Sequence, residues 1–197
     1  MNLQARKYMD IKKYKQELLE KLYKPYKNCQ ECPLGHLGRK HTVFGEGNAN
    51  AKLMFIGEGP GQKEDELCRP FVGRSGQLLT RVLESLGTKR ENVFITNVVK
   101  CRPPKNRKPL PNESDTCTHL FLFKQIKIIR PAAICTLGSS STQAFLGNDI
   151  KITKIRGKIF TWNKIKIIPT YHPAYILRNN RELENFINDI KLALLQK

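Results

Sequence analysis

The sequence predicts a single α/β sandwich built on a mainly parallel sheet of four strands. Three observations carry that prediction. Apolar runs of strand length recur at residues 51–57, 93–99, 132–138 and 165–168. Stretches with helical periodicity separate them, the arrangement that parallel pairing with crossovers requires. Three of the runs empty into polar loops, residues 58–66, 97–107 and 172–178. In a parallel sheet such ends share one edge, where α/β proteins keep their sites.

Composition sets outer bounds. A chain of 197 residues suits one domain, 1–197, and would cramp two. Hydrophobic residues at 40% give it a core. No apolar run approaches the roughly 18 residues of a membrane span, and the N-terminus lacks an apolar signal core, so a cytoplasmic protein is expected. Thirty-five Lys and Arg against 17 Asp and Glu leave +18. Such a surplus suits a polyanionic partner, because each neutralised phosphate releases counterions. Biased composition alone also yields lysine-rich chains.

Taken in order, residues 3–23 space Leu3, Tyr8, Ile11, Tyr14, Leu18, Leu19 and Leu22 as one face of a helix. Pro25 marks its end, and residues 1–25 are expected to pack on the domain. Cys29-Gln30-Glu31-Cys32 follows, closed by Pro33 and Gly35. The first strand, 51–57, runs into Glu58-Gly59-Pro60-Gly61, with Glu64 and Asp65 beyond. A phosphate loop fits poorly, since no Gly-Lys-Ser/Thr follows. A helix is expected from Ser75, as its cap, to about Leu86, with Leu78, Leu79, Val82, Leu83 and Leu86 buried. Phe71 precedes it in a Pro- and Gly-flanked loop and reads either as core or as a stacking platform.

The second strand carries one amide, Asn97, and leads to Cys101-Arg102-Pro103-Pro104, a sequence that cannot continue a strand. Residues 110–115 signal the start of a helix that bears Cys117 and ends near Arg130. Cys135 lies mid-strand in 132–138 and reads as a small core residue; Ser139 begins a short helix. Residues 158–168 form a hairpin or close strand pair that delivers His172-Pro173-Ala174-Tyr175. A helix over 182–195 closes the chain.

Six cysteines without a secretion signal argue for metal binding or chemistry rather than disulfides. Cys29, Cys32, Cys101 and Cys117 come from three segments and suit either tetrahedral zinc or a [4Fe–4S] cluster. Cys68 has no assignment.

Four motifs in this order, Gly57-Glu58-Gly59-Pro60-Gly61, the segment from Pro70-Phe71-Val72-Gly73 to Leu79, Thr96-Asn97-Val98-Val99-Lys100-Cys101-Arg102-Pro103-Pro104, and His172-Pro173-Ala174-Tyr175, resemble the family 4 uracil-DNA glycosylases over about residues 25–195. The resemblance implies a three-layer αβα fold with a four-stranded parallel sheet. It also implies a structural [4Fe–4S] cluster on Cys29, Cys32, Cys101 and Cys117, and hydrolysis of the N-glycosidic bond of uracil in DNA.

The residues fit that chemistry. An enzyme acting on a base must flip it out and read its Watson–Crick edge. The Asn97 amide would accept from uracil N3–H and donate to O4, a pairing cytosine fails at both points. Phe71 would stack on the ring, His172 would donate to O2 as the base leaves, and Gly59 and Glu64 complete the expected base site. A well-known branch of the superfamily places Asp where Gly59 stands and Tyr where Gly61 stands. Glu58 is therefore the expected water-orienting group, with Glu64 and Asp65 behind it. Arg102, Lys105, Arg107 and Lys108 are expected to grip phosphates, and the segment from Tyr175 to Arg178 to fill the gap in the duplex. The expected partner is uracil-containing DNA, single- or double-stranded, with the protein a monomer and no membrane involved.

Overall fold

The computed structural model describes residues 3–197, with side chains from residue 10 onward; Met1 and Asn2 fall outside the described residues, as do the side chains of Leu3 and Tyr8, expected on the apolar face. Six strands form one sheet: β1 (Glu46–Gly47), β2 (Leu53–Gly57), β3 (Phe94–Asn97), β4 (Ala133–Leu137), β5 (Phe160–Trp162) and β6 (Ile165–Thr170), in the spatial order β1-β3-β2-β4-β6-β5. The four inner strands are mutually parallel, as the apolar runs predict. The sheet is nonetheless wider than four strands. A two-residue β1 and the hairpin strand β5 add antiparallel edges. β1 is too short to leave a periodic signal in the sequence.

Both faces of the inner strands are covered, which is why they read as unbroken apolar runs rather than alternating ones. Met54, Ile56, Phe94, Ile134 and Ile167 face one core, shared with Leu19 of α1 (Leu3–Tyr23) and with Phe121 and Ile126. Those last residues belong to a continuous helical run of α4 (Pro111–Cys117), a π-helical turn (Thr118–Leu122) and α5 (Phe123–Ile129). Leu53, Phe55, Ile95, Cys135 and Ile168 face the second core, against Leu79 and Leu83 of α3 (Arg74–Ser85) and Phe186 and Ile190 of α9 (Leu183–Leu194). Helix, sheet and helix thus make three layers. Shorter helices complete the chain: α2 (Gln62–Leu67), α6 (Ser139–Leu146), α7 (Ile152–Ile155) and α8 (Pro173–Ile176).

Two local expectations need correction. Only the later part of the α1 stripe is used: Leu19 is buried, whereas Ile11 and Tyr14 are exposed. The helix is held there partly by Lys15, whose Nζ donates to the Asn50 side chain and to the Ile129 carbonyl, each at 2.7 Å. Ser75 does not cap α3. The N-cap is Gly73, and its amide donates to the Glu64 carboxylate at 2.8 Å, as does that of Val72 at 2.9 Å. An acidic side chain from α2 thus holds the two amides that lead into α3 and sits at the positive end of its dipole.

The end of β6 is fixed by a buried ion pair. Asp189 of α9 accepts from Arg156 Nε at 2.8 Å and from Thr170 Oγ1 at 2.7 Å, and Arg156 Nη2 contacts its other oxygen. Removing Asp189 takes its charge-assisted bonds from a partly buried Arg156 and leaves the buried Thr170 hydroxyl unpaired. Asp189→Ala should therefore destabilise the fold by about 1.5–3 kcal/mol, read from the urea midpoint at unchanged slope.

Candidate active site

The carboxyl ends of β2, β3, β4 and β6 open onto one cleft of about 700 Å³. Each strand delivers a loop to it: Glu58 to Glu64 after β2, Asn97 with Pro103 after β3, Gly138 to Ser140 after β4, and His172 with Tyr175 and Arg178 after β6. The cleft takes four strand ends, one more than the sequence led us to expect. The fourth contribution was marked only by Gly138 followed by three serines at a strand end, an ordinary helix-start signal.

Asn97 is the last residue of β3 and pairs in register with Gly57. It is 1% exposed, and neither its Nδ2 nor its Oδ1 has a hydrogen-bond partner within the protein. Buried amides without partners are uncommon, because each lost bond costs about 1–3 kcal/mol. The space beside it exists because Gly57 carries no side chain. A Cβ there would lie 2.5 Å from Asn97 Oδ1 and 2.4 Å from the Phe71 ring.

Phe71 closes one wall. Its ring centroid lies 5.9 Å from that of His172, and its φ of +52° is a strained value for a residue with a side chain. Gly76 of α3 packs directly on its carbonyl, where a Cβ would come within 1.9 Å. His172 is the N-cap of α8, and its Nδ1 accepts from the Ala174 amide at 3.1 Å. That bond leaves the proton on Nε2. Burial, assisted by the charge of Arg178, brings the His172 pKa down to about 4, so the ring is a neutral donor at physiological pH.

Glu58 faces the same cleft and accepts a short hydrogen bond from Ser140 Oγ. Gly59 must be small: a Cβ would meet Val99 Cγ2 at 2.8 Å. Glu64 lines the cleft while capping the Val72 and Gly73 amides, and its Oε2 would lie 2.8 Å from a Cβ on Gly61. Asp65, expected behind Glu58, turns away. It is buried and accepts from the Lys40 and His41 amides instead. Of the basic residues expected to meet DNA, Arg107 and Arg178 reach the cleft and Arg102, Lys105 and Lys108 are not among its lining, whereas Lys63 and Arg74, which the sequence did not single out, do line it. Arg107 is committed to a bidentate pair with buried Glu113 at 2.7 and 2.8 Å. Arg102 donates to Asn106, and Lys108 to Gln143. Neither the Arg107 nor the Arg102 partner could be inferred from spacing alone.

A second cluster lies beneath the β3 exit. Cys29, Cys32, Cys101 and Cys117 line one small cavity with Leu34, Leu120 and Phe121, and all four are free thiols. Burial pushes the Cys101 thiol up to about 11 and the Cys117 thiol up to about 12. Among the described residues, no group of three or more His, Cys, Asp and Glu is placed to hold a metal ion. Cys117 ends α4 where the helix widens into the π turn. Cys68 is apart from this set and exposed.

Lys100, unremarked in the sequence beyond its charge, lies between the two sites. It is fully buried, and its Nζ donates to Thr96 Oγ1 and the Asn97 carbonyl at 2.6 Å and to Gln125 Oε1 at 2.8 Å. Its own amide donates to Cys117 Sγ at 3.2 Å. Burial lowers the amine to about 7.

The family described as the Uracil DNA glycosylase superfamily matches residues 44–193. A type-4 uracil-DNA glycosylase of Thermotoga maritima is 48% identical over 183 residues, covering 91% of this chain and 94% of the relative. One from Saccharolobus solfataricus is 49% identical over 183 residues, 87% and 84% of the two chains. One from Archaeoglobus fulgidus is 40% identical over 184 residues, 89% and 91%. With the sheet, the four-loop cleft and relatives of this closeness over nearly full length, the chain belongs to the uracil-DNA glycosylase superfamily and, within it, to the type-4 uracil-DNA glycosylases.

Proposed function

We propose that this protein flips uracil out of DNA and hydrolyses its N-glycosidic bond, leaving an abasic site. The observation that carries the reading is the buried, unpartnered amide of Asn97 at the floor of the cleft. Such an amide needs a ligand with one donor and one acceptor side by side. Uracil N3–H and O4 supply both. Cytosine offers an acceptor and a donor in the opposite order, so two buried groups would stay unpaired, enough for strong rejection.

The remaining roles follow from placement. Phe71 stacks on the extruded ring. Water adds to C1′ as the C1′–N1 bond breaks, its surplus proton passing by way of Glu58 to solvent, and the electron pair of that bond leaves with the base. Negative charge then gathers on uracil O2, where the neutral His172 donates through Nε2–H. A neutral donor is suited to an anion forming in a dry site, since it gives its hydrogen bond without itself being a buried charge. Glu58 orients the water and opposes positive charge on the sugar, with Ser140 holding one of its oxygens. Gly59 and Glu64 shape the wall beside the base. Arg178 and Tyr175, at the cleft mouth, contact the strand and fill the vacated stack. Arg102, Lys105 and Arg107 lie on the adjoining loop, where Lys105 is the freest to meet phosphate.

Cys29, Cys32, Cys101 and Cys117 would hold a [4Fe–4S] cluster, which ties the N-terminal segment, the Pro103-Pro104 loop and α4 together and takes no part in bond breaking. The four thiols share a cavity, yet among the described residues no three metal-binding side chains converge on one ion. Four thiolates from three segments of the chain, gathered in one small cavity, suit such a cluster. We read residues 1–197 as one domain acting as a monomer on uracil-containing DNA in the cytoplasm. No described helix is long and apolar enough to cross a membrane.

The deciding assay is an oligonucleotide with a single uracil, incubated with protein and then with alkali; an intact strand beside an active control enzyme would overturn the reading. Asn97→Ala should abolish cleavage and leave the fold and visible absorbance unchanged. His172→Ala should slow single-turnover excision by roughly 10²–10³, the scale of one lost oxyanion donor.

The pH dependence has a definite sign. Because His172 titrates near 4 when folded against 6.5 in the open chain, the unfolded state binds the extra proton between those values. Stability from this group is complete above about pH 6.5 and declines as pH falls toward 4. Excision by the wild type should show no inflection at 6.5, and one that His172→Gln removes would place a charged histidine in the mechanism. Cys117→Ser should lose iron, measured by elemental analysis, and lower the melting temperature, whereas Asn97→Ala retains both.

A further inference from the structure

Arg90 stands outside the cleft and outside every motif that the function absorbs, yet its guanidinium is almost completely used. Nη1 donates to the Phe71 carbonyl at 2.9 Å and to Thr80 Oγ1 at 3.3 Å, and Nη2 donates to the Pro70 carbonyl. Nε donates to Glu46 Oε1 at 2.8 Å, and Nη2 lies at the same distance from that oxygen. Glu46 sits on the edge strand β1, paired in register with Ile95 of β3, two residues before Asn97. A continuous chain of contacts therefore runs from the sheet, through Glu46 and Arg90, to the backbone of the aromatic wall.

That backbone needs an external hold. Phe71 has a φ of +52°, a conformation side-chain-bearing residues seldom adopt. Open space flanks it twice: the base cleft on one hand, and on the other a groove of about 390 Å³ that Phe71 and Val72 share with Arg69, Arg81 and Arg90. Packing alone does not enclose the loop. Glu64 fixes the amides of Val72 and Gly73 on its downstream side, and Arg90 fixes the carbonyls of Pro70 and Phe71 on its upstream side.

We infer that Arg90, oriented by Glu46, is a positioning residue that holds Phe71 in its strained stacking conformation, and so sets how well the enzyme retains the extruded base. The inference rests on the uracil-excising reading for its catalytic consequence, although the bracing itself is a property of the fold. A planar fork spanning two adjacent carbonyls and a carboxylate is something lysine cannot reproduce, even with its charge retained.

The test is a double-mutant cycle of Arg90→Lys and Phe71→Ala, read by single-turnover excision of uracil from an oligonucleotide. Arg90→Lys alone should lower kcat/KM roughly ten- to a hundredfold, the scale of lost charge-assisted bonds to the loop. The loss should fall mainly on KM. In the Phe71→Ala background the same change should cost less than about twofold, because the ring it positions is gone. Equal costs in both backgrounds, or a wild-type rate for Arg90→Lys, would overturn the inference. Glu46→Gln, a milder change at the edge of the sheet, should reproduce a weaker version of the same pattern and serves if Arg90→Lys folds poorly. Hydrogen–deuterium exchange over residues 69–74 reads the brace without reference to activity. Exchange there should quicken in Arg90→Lys while β2 and β4 stay protected, and unchanged exchange would sink the proposal. If the wild type left uracil in place while exchange still rose, the brace would stand and the functional reading would fall.

Discussion

The structure depends on keeping one polar side chain dry and unsatisfied. Asn97 has both amide atoms buried without partners, a state worth roughly 1–3 kcal/mol of instability for each lost bond. Surrounding elements prevent the obvious escapes. Parallel pairing with β2 sets the register opposite Gly57, whose missing side chain leaves room for a base rather than for protein. Lys100 holds the Asn97 carbonyl, which fixes the backbone from which the amide projects. A discriminating amide works because it is rigid and unpaired until the right ligand arrives.

The same logic extends to the walls. Phe71 occupies a backbone conformation that only a rigid surround sustains, with Glu64 holding the following amides and Gly76 permitting α3 to pack against its carbonyl. His172 is fixed through Nδ1 by a backbone amide, and burial keeps it neutral. Each group that would touch the base is thus locked by its neighbours before DNA binds. On the proposed reading, burial and backbone bonding prepare His172 as a neutral donor to the leaving base.

Below the cleft, the segment from Asn97 to Cys117 joins the two halves of the design. Three residues separate the Asn97 amide from Cys101, and the intervening Lys100 reaches the Asn97 carbonyl through its Nζ and Cys117 through its backbone amide. The thiol cavity and the base cleft therefore share a short, fully buried stretch of backbone. Anchoring the chain at the cysteines would transmit rigidity directly to the Pro103-Pro104 loop and to the end of β3.

The sequence by itself determined the class of fold, the four inner strands and most of the cleft. Apolar runs separated by helical segments fit a parallel sheet covered on both faces, and Glu58, Asn97 and His172 stand next to strand ends that such a sheet gathers on one edge. Tertiary structure alone decided what spacing does not encode. Asp65 faces away from the cleft because the 40–41 backbone offers it two amides. Arg107 is held by Glu113, and Ser140 meets Glu58 across 82 residues. Arg90 reaches the Phe71 loop from the far side of α3. Most of these contacts join residues distant in sequence, each chosen by which partner lies within about 3 Å once the layers have packed, and local propensity has no term for that distance.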